Sequence, residues 1–231
     1  PPDPDAHPLL LYFRDVIRRM SSEHKGEVPI AMVIPIPTDI PDVIMGLEPW
    51  LETVLFDPAG AQRVMDKVIP FNGFFADGAT FVVMPCGFAS PAIVTREIVT
   101  TFTRPILAKV LAQLCGPVIL HNVGAPILAH LDLLTGLPSV VAFIVDQQDD
   151  LAQARRVVGP DKVLFGGLDC ANVGRMTAAE VEDRCRAILE ERRHDARFVL
   201  GTSGPDVSWN TPPENIHAMR KAAESFGRID V

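Results

Sequence analysis

The chain has 231 residues, of which 48% are hydrophobic, so it carries enough apolar side chains for a buried core and is not a disordered, collagen-like or coiled-coil chain. Its formal net charge is −8 at pH 7 and no segment concentrates lysine and arginine, which argues against nucleic acid as a partner. No window reaches the roughly eighteen uninterrupted apolar residues of a membrane span, so we predict no membrane association.

Two kinds of apolar segment alternate along the chain. The predicted helices are 8–20, 50–75, 95–114, 127–134, 150–158, a helix opened by the capping box Thr177-x-x-Glu180, and 212–226. The predicted strands are 28–37, 79–85, 117–122, 140–146, 162–169 and 197–203. The first of these is rich in β-branched residues and reads as a strand buried on both faces.

Repeated βα units predict an α/β protein with a parallel sheet, and either a (β/α) barrel or a doubly wound sheet satisfies the pattern. No long polar segment marks a boundary, so we predict a single domain over residues 1–231. A Gly-x-Gly-x-x-Gly loop after the first strand and a Walker-type Gly-Lys-Ser/Thr motif are both missing, which weakens the nucleotide-binding version of that fold.

The cysteines predict a reducing, cytoplasmic compartment. The chain has four of them, Cys86, Cys115, Cys170 and Cys185, and they follow no paired spacing such as Cys-x-x-Cys. Four are too few for a disulfide scaffold in a chain of this size.

Polar side chains follow almost every predicted strand. In parallel α/β proteins the chemistry lies beyond the carboxyl ends of the strands, so these positions are the candidate site. In chain order they are Thr38 and Asp39, Cys86, His121 and Asn122, Asp146, Asp169 and Cys170, and Thr202, Ser203 and Asp206.

His121 is the first candidate for chemistry, because a histidine at a strand end can bind a metal or exchange a proton near neutral pH. It can equally be a structural histidine held by a backbone carbonyl. Asp146 and Asp169 are candidates to orient that histidine, ligate a metal or hold a substrate proton, and the alternative for both is helix capping. We take His121, Asp146 and Asp169 as the candidate catalytic residues.

Two cysteines stand one residue past a strand, Cys86 and Cys170. Together with His121 they would make a nitrogen and sulfur set of the kind that zinc accepts, and the alternative is inert packing of buried thiols. We take these three as the candidate metal ligands. Asp39, Asn122, Ser203 and Asp206 are the candidate substrate-binding residues.

Several segments in the same order resemble the uroporphyrinogen-decarboxylase-like superfamily and, within it, the methylcobamide methyltransferases. The residues that carry the resemblance are PVILHNVGAPILAHLDLLTGL (117–137), FIVDQQDDLAQARRVVGPDKVLFGGLD (143–169), TAAEVEDR (177–184) and Thr211-Pro-Pro-Glu-Asn-Ile. Asp57-Pro58, Ser90-Pro91 and Arg96-Glu97 extend the resemblance upstream.

The resemblance implies a TIM-type (β/α) barrel that lacks the first βα units of the family domain. It also implies methyl transfer between a corrinoid protein and a small acceptor or donor, with zinc activating a thiol. His121 stands at the family's first zinc ligand, whereas Val123 stands where a cysteine is expected and no cysteine lies near 203–205. Cys86 or Cys170 would then have to complete the zinc site.

Two other functions stay open. A metal-free lyase of the decarboxylase type would use Asp39, His121 and Asp146 as acid, base and orienting groups. The absence of an arginine-rich N-terminal segment argues against a porphyrinogen substrate and not against a smaller acid. A non-catalytic barrel would serve as a subunit of a larger homologue, and a homo-oligomer is the other expected assembly.

Overall fold

The structure is a computed structural model that describes residues 3, 5–24, 26–75, 78–114 and 116–228, and among them the side chains outside 71–75. It divides into two compact units. The first holds the described residues of Pro1–Ala89, Ile93–Leu120 and Gly136–Val141, and the second those of Ser90–Ala92, His121–Thr135 and Ala142–Val231. Cys115 lies outside the described residues, and the prediction of one domain over 1–231 stays a prediction.

All six predicted strands are present. They are β1 (Ala31–Val33), β2 (Phe81–Pro85), β3 (Val118–His121), β4 (Val140–Ile144), β5 (Val163–Leu168) and β6 (Phe198–Thr202). They form a parallel sheet in the order β1-β2-β3-β4-β5-β6, with Val33 opposite Val83 and Leu168 opposite Thr202 in the register. The order runs without the reversal that marks a doubly wound sheet, so the sheet is of the (β/α) barrel type and the predicted fold class is confirmed.

Helices connect the strands, as the repeated βα pattern requires. They are α1 (Pro8–His24), α2 (Ile40–Met45), α3 (Leu47–Phe56), α4 (Pro58–Phe75), α5 (Arg96–Ile98), α6 (Arg104–Leu111), α7 (Leu128–Thr135), α8 (Leu151–Val158), α9 (Ala178–Arg192) and α10 (Pro213–Phe226). The predicted capping box is confirmed at the start of α9, where Thr177 and Glu180 cap each other. No helix in the described part of the chain combines the length and apolarity that a membrane crossing needs.

Two predicted helices are interrupted. The helix predicted over 50–75 is α3 followed by α4, because Asp57 leaves the helical region with φ −133° and Pro58 has no N–H to continue the ladder. The helix predicted over 95–114 contains a π turn at Val99–Thr103 between α5 and α6. Such a turn has no sequence signature that periodicity can detect.

The prediction for the first strand was wrong in length and burial. The strand was predicted over 28–37, but β1 ends at Val33, and Pro37 begins a 3-10 turn at Pro37–Asp39. The N–H groups of Ile34 and Ile36 still donate to the carbonyl oxygens of Val83 and Pro85 in β2, at 3.0 and 2.9 Å, so bonding to β2 continues past the end of β1 up to the turn. The side chain of Val33 is 60% exposed, so β1 is not buried on both faces.

The core of the second unit lies between β5 and the last two helices. Its buried members are Leu168, Val173, Val181, Cys185, Ile188, Ala218 and Ala222. Gly167 in β5 has φ +126°, and a Cβ at this position would lie 2.8 Å from Ile188. The glycine therefore lets α9 pack closely on the sheet and supports the strand end that carries Asp169.

In the first unit, Trp50 anchors the segment after β1. Its indole is fully buried between the rings of Phe88 and Phe102, with ring centroids 6.1 Å and 5.9 Å away. The indole N–H donates to the carbonyl oxygen of Thr38 at 2.8 Å. This bond fixes the backbone beside Asp39.

Arg155 in α8 ties together the segments that lead into β5 and β6. Its guanidinium donates to the Asp195 carboxylate at 2.7 Å and to the backbone carbonyls of Gly159, Lys162 and Arg197 at 2.7, 2.8 and 3.0 Å. The side chains of Arg155 and Asp195 are only 17% and 14% exposed. Removing the arginine would leave the Asp195 carboxylate and three backbone carbonyls without their hydrogen-bond donor and poorly exposed to water.

We expect Arg155→Ala to lower the free energy of unfolding by about 2–4 kcal/mol, because it leaves a poorly solvated carboxylate and three carbonyls without their donor. Urea denaturation measures the change. Arg156→Ala, an exposed arginine on the same helix, is the matched control and is expected to change stability by less than about 0.5 kcal/mol. Equal effects in the two variants would contradict this role of Arg155.

Candidate functional site

Within the second unit, the ends of three strands, β3, β4 and β6, bring polar side chains together. We call His121, Asn122, Asp146, Gln147 and Ser203 the strand-end site. His121 is the last residue of β3, Asp146 follows β4 and Ser203 follows β6. His121, Asn122, Asp146 and Ser203 are all buried. These four were predicted from their positions after the strands, whereas Gln147 was not.

The Asp146 carboxylate is held by donors from three directions. The side-chain amide of Asn122 donates to Oδ2 at 3.2 Å, and the backbone N–H of Gln148 donates to Oδ1 at 3.0 Å. Gln147 bonds the Ser203 hydroxyl, and with its amide nitrogen turned to the carboxylate it also donates to Asp146 Oδ2 at 2.9 Å. The carboxylate therefore has a fixed position.

The pKa of Asp146 is raised above the usual value for an aspartate. Burial is the largest cause, because it disfavours the charged carboxylate, and the negative charges of Asp149 and Asp169 add to it. The backbone N–H of Gln148 works in the opposite direction. A carboxylate of raised pKa takes up a proton more readily than a solvated aspartate, which suits a general base.

His121 is held as a neutral ring. Its Nδ1 accepts a hydrogen bond from the backbone N–H of Val123 at 2.8 Å, so the proton of the neutral ring lies on Nε2. Burial lowers the pKa of His121, and hydrogen bonds with its own backbone and that of Gly204 oppose the shift only partly. The ring is thus preorganised as an uncharged group.

The turn after β3 contains a strained residue. Val123 has φ 60° and Gly124 has φ 77°, and the N–H of Ala125 bonds the carbonyl of Asn122 at 3.4 Å, which together describe a type I′ turn. A β-branched residue rarely adopts such a positive φ. The turn nevertheless points the Val123 N–H at His121, so the strain accompanies the positioning of the ring.

We expect Val123→Asn to raise the free energy of unfolding by about 1 kcal/mol, because asparagine adopts a positive φ at lower cost and its backbone N–H is kept. Chemical denaturation measures the gain. Gly124→Ala is the control and is expected to destabilise, since it places a Cβ at φ 77°. A less stable Val123→Asn variant would contradict the assigned strain.

Cys170 and Gly204 are in close contact. A Cβ on Gly204 would collide with the Cys170 thiol, so any larger residue at this position would force the thiol to move. Gly204 also hydrogen-bonds His121 through its backbone, and its carbonyl accepts from the Thr202 hydroxyl at 3.3 Å. The half-buried Cys170 is therefore linked to His121 through one glycine.

The other two predicted acids of this unit lie outside the strand-end site. Asp169 accepts from the backbone N–H groups of Ala171 and Asn172 at 2.9 and 3.3 Å, so its carboxylate shapes the turn after β5. It still acts on the site through its charge, which raises the pKa of Asp146. Asp206 is exposed in the segment after β6.

Asp149 is the structural aspartate that sequence reasoning missed. It is buried and accepts from the N–H groups of Ile127 and Leu128 at 3.0 and 3.1 Å, at the start of α7, and from the N–H of Asp146 at 3.0 Å. One carboxylate thus caps a helix and fixes the backbone of the candidate base. The sequence shows only a run of polar residues after a strand, and that run did not separate the two aspartates.

The predicted zinc ligands do not fit a metal site in their present arrangement. Both nitrogens of His121 are occupied, Nδ1 by the N–H of Val123 and Nε2 by its proton. Within the described ranges, no group of three or more His, Cys, Asp or Glu side chains is arranged to hold a metal ion. Zinc stays a prediction from the resemblance, and the chemistry below is carried by the side chains alone.

The first unit holds the other two predicted residues. Asp39 is buried, and its carboxylate accepts from the backbone N–H groups of Gly87 and Phe88 at 2.7 and 2.8 Å. Burial raises its pKa to about 8 against the effect of these two donors. Cys86 directly precedes Gly87 in the sequence, and its side chain is fully buried.

Comparison with known proteins decides the family. The family model of uroporphyrinogen decarboxylase (URO-D) matches residues 1–226. The chain belongs to the uroporphyrinogen decarboxylase family. This confirms the resemblance inferred from the sequence. Among curated proteins none matches the chain.

One solved structure shares the fold of this uroporphyrinogen decarboxylase family member, and a second is similar to it at a lower score. A methyltransferase from Methanosarcina mazei superposes with a TM-score of 0.79 at 15% identity, covering 94% of this chain and 65% of that one. The chain thus spans just under two thirds of that methyltransferase. A putative vitamin-B12 independent methionine synthase from Listeria monocytogenes has a TM-score of 0.49 at 15% identity, covering 84% of this chain and 62% of that one.

Proposed function

We propose that this chain is a methyltransferase that moves a methyl group between a corrinoid protein and a small polar molecule. The observation that carries the proposal is the buried Asp146 carboxylate, held by Asn122 and Gln147 and raised in pKa. The fold shared with a methyltransferase supports it. The corrinoid protein, as the partner, is part of the proposal.

The residues of the strand-end site would manage one proton. A small acceptor that takes a methyl group from a methyl-corrinoid forms a new bond to carbon with its own electron pair, the cobalt keeps the pair of the broken bond, and the acceptor sheds a proton. Asp146 takes up that proton, because its raised pKa makes it more basic than a solvated carboxylate.

The neighbouring side chains would position the carboxylate that takes up the proton. Asn122 and Gln147 keep the carboxylate in one orientation, so the proton is taken from a fixed direction. The neutral His121 adds a ring that carries no charge near neutral pH, since burial lowers its pKa. Ser203 keeps Gln147 in place through their hydrogen bond.

Incubation of the purified chain with methylcob(III)alamin and a panel of small thiols, amines and phenols tests the proposal. Absorbance follows the loss of the cobalt–methyl bond, and mass spectrometry identifies the methylated product. Methylated product that forms only in the presence of the protein would support methyl transfer. The same panel run without protein is the control for spontaneous methylation.

A metal-free lyase of the decarboxylase type is the second candidate, and the buried Asp146 carboxylate of raised pKa suits it as well. Release of carbon dioxide from a panel of small carboxylic acids, without methyl transfer from methylcobalamin, would select the lyase. Inactivity in both assays, together with stoichiometric capture of a larger homologue, would select a non-catalytic subunit instead.

A further inference from the structure

β6 is an end strand of the sheet, and one of its edges is open. The strand order places β5 on one side of β6 and no strand of the described residues on the other. Backbone hydrogen bonds join Arg197 and Ser203, at the two ends of β6, to β5. Backbone groups alternate in direction along a strand, so every second residue between these two faces β5. The N–H and C=O groups of Leu200 and Thr202 therefore point to the open side.

The opposite end strand, β1, is protected against pairing, whereas β6 is not. The N–H groups of Ile34 and Ile36 donate towards β2, so Pro35 and Pro37 take the outward positions, where they offer no N–H. β1 itself has only three residues. β6 has five residues, Phe198–Thr202, and none of them is a proline or a charged residue. β6 is therefore the edge that can pair with a further strand.

The charges around β6 select a second copy of the chain as that strand. Each copy has a net charge of −8, so two copies repel wherever acidic surfaces meet, but the uncharged β6 adds nothing to this repulsion. In an antiparallel pair, the exposed Arg197 before each β6 lies towards the exposed Asp206 that follows the other. A parallel pair would place Arg197 beside Arg197. The antiparallel pair is self-complementary about a two-fold axis and forms two contacts between opposite charges.

We propose that this chain forms a two-fold symmetric dimer in which the β6 strands of two copies pair antiparallel through Leu200 and Thr202. The inference is independent of the proposed chemistry. Ser203, directly after β6, hydrogen-bonds Gln147 of the strand-end site. Pairing at β6 thus fixes the strand that leads into that site.

Sedimentation velocity of the full chain measures the association. We expect a shift from monomer to dimer at roughly 10–100 μM, because one short strand per copy makes a small interface. Amide hydrogen exchange, followed by NMR below and above the midpoint of this shift, locates the contact. The amides of Leu200 and Thr202 should exchange about tenfold or more slowly in the dimer. Those of Val199 and Gly201, which face β5 in both states, should change little and are the internal reference.

A lysine at the open edge should prevent the pairing. The side chain of Val199 in β6 is 40% exposed, and that of Val141 is 43% exposed in β4, which has a strand on each side. Val199→Lys is expected to weaken dimerisation by about tenfold or more, because a charged side chain at an edge disfavours a further strand. Val141→Lys is the matched control and should leave the association unchanged. Circular dichroism confirms that both variants are folded. An unweakened dimer in folded Val199→Lys would contradict the proposal.

A charge exchange tests the antiparallel direction with two exposed residues. Arg197→Asp and Asp206→Arg should each weaken the dimer by about threefold or more, and the double variant should restore it. Weak association in the double variant would overturn the antiparallel arrangement. A chain that stays monomeric at roughly 500 μM, above the range of even small specific interfaces, would overturn the dimer. So would a dimer in which Leu200 and Thr202 exchange as fast as in the monomer.

Discussion

Asp146→Asn is expected to lower the rate of methyl transfer by about 10²–10⁴-fold, the usual contribution of a positioned general base. Asparagine nearly preserves the shape of aspartate, and its Oδ1 can still accept from the Gln148 N–H. It cannot take up a proton. The loss is therefore expected in the maximal rate. Thermal stability should fall only by the cost of rearranging the hydrogen bonds that the Asn122 and Gln147 amides make to residue 146.

Steady-state kinetics with methylcobalamin and the acceptor identified in the panel measure this effect. In the wild type the rate should rise with pH through the raised pKa of Asp146, because the carboxylate form is the base. The Asp146→Asn variant should lose this rise of the rate with pH. Asp161→Asn, at an exposed aspartate of the same unit, is the matched control and should keep the wild-type rate and profile. A wild-type pH profile in Asp146→Asn would remove Asp146 from the chemistry.

The strands and their ends could be predicted from sequence, because a buried strand appears as a continuous run of apolar residues that stops where the strand reaches the edge of the sheet. Runs such as 140–145 are uninterrupted apolar segments, and the first polar residue after each must lie at the sheet edge. Asp146 and His121 were found in this way. The same signal overestimated the length and burial of the first strand, since Val33 is apolar but exposed and the 3-10 turn begins at Pro37, inside the apolar run.

The contacts inside the site could not be predicted, because they join residues far apart in sequence. Gln147 hydrogen-bonds Ser203 across two strand ends, and the thiol of Cys170 lies where a Cβ of residue 204 would collide with it. Asp149 and Asp146 are three residues apart, yet one caps α7 and the other is the candidate base. The hydrophobic periodicity of the sequence places both aspartates after β4 and does not predict which groups each of them bonds.

The largest effect on stability is expected at Asp39, through pH. The pKa of this carboxyl is raised to about 8 in the folded chain by burial, against 3.8 for an unperturbed aspartate. The folded state therefore binds more protons than the unfolded state between these values. Stability from this group is fully present below about pH 4 and is lost as the pH rises towards 8, by up to the order of 5 kcal/mol.

Asp39→Asn separates the charge from the hydrogen bonds. The asparagine can accept from only one of the two N–H groups of Gly87 and Phe88, so at pH 5 the variant should be less stable than the wild type by about 1–3 kcal/mol. At pH 9 the wild type must bury a charge and the variant does not, so the difference should shrink or reverse. Urea denaturation at pH 5, 7 and 9 measures both curves, with Asp15→Asn at an exposed aspartate of α1 as the control. Parallel curves for wild type and Asp39→Asn would mean that the two N–H donors outweigh burial and keep the carboxylate charged throughout.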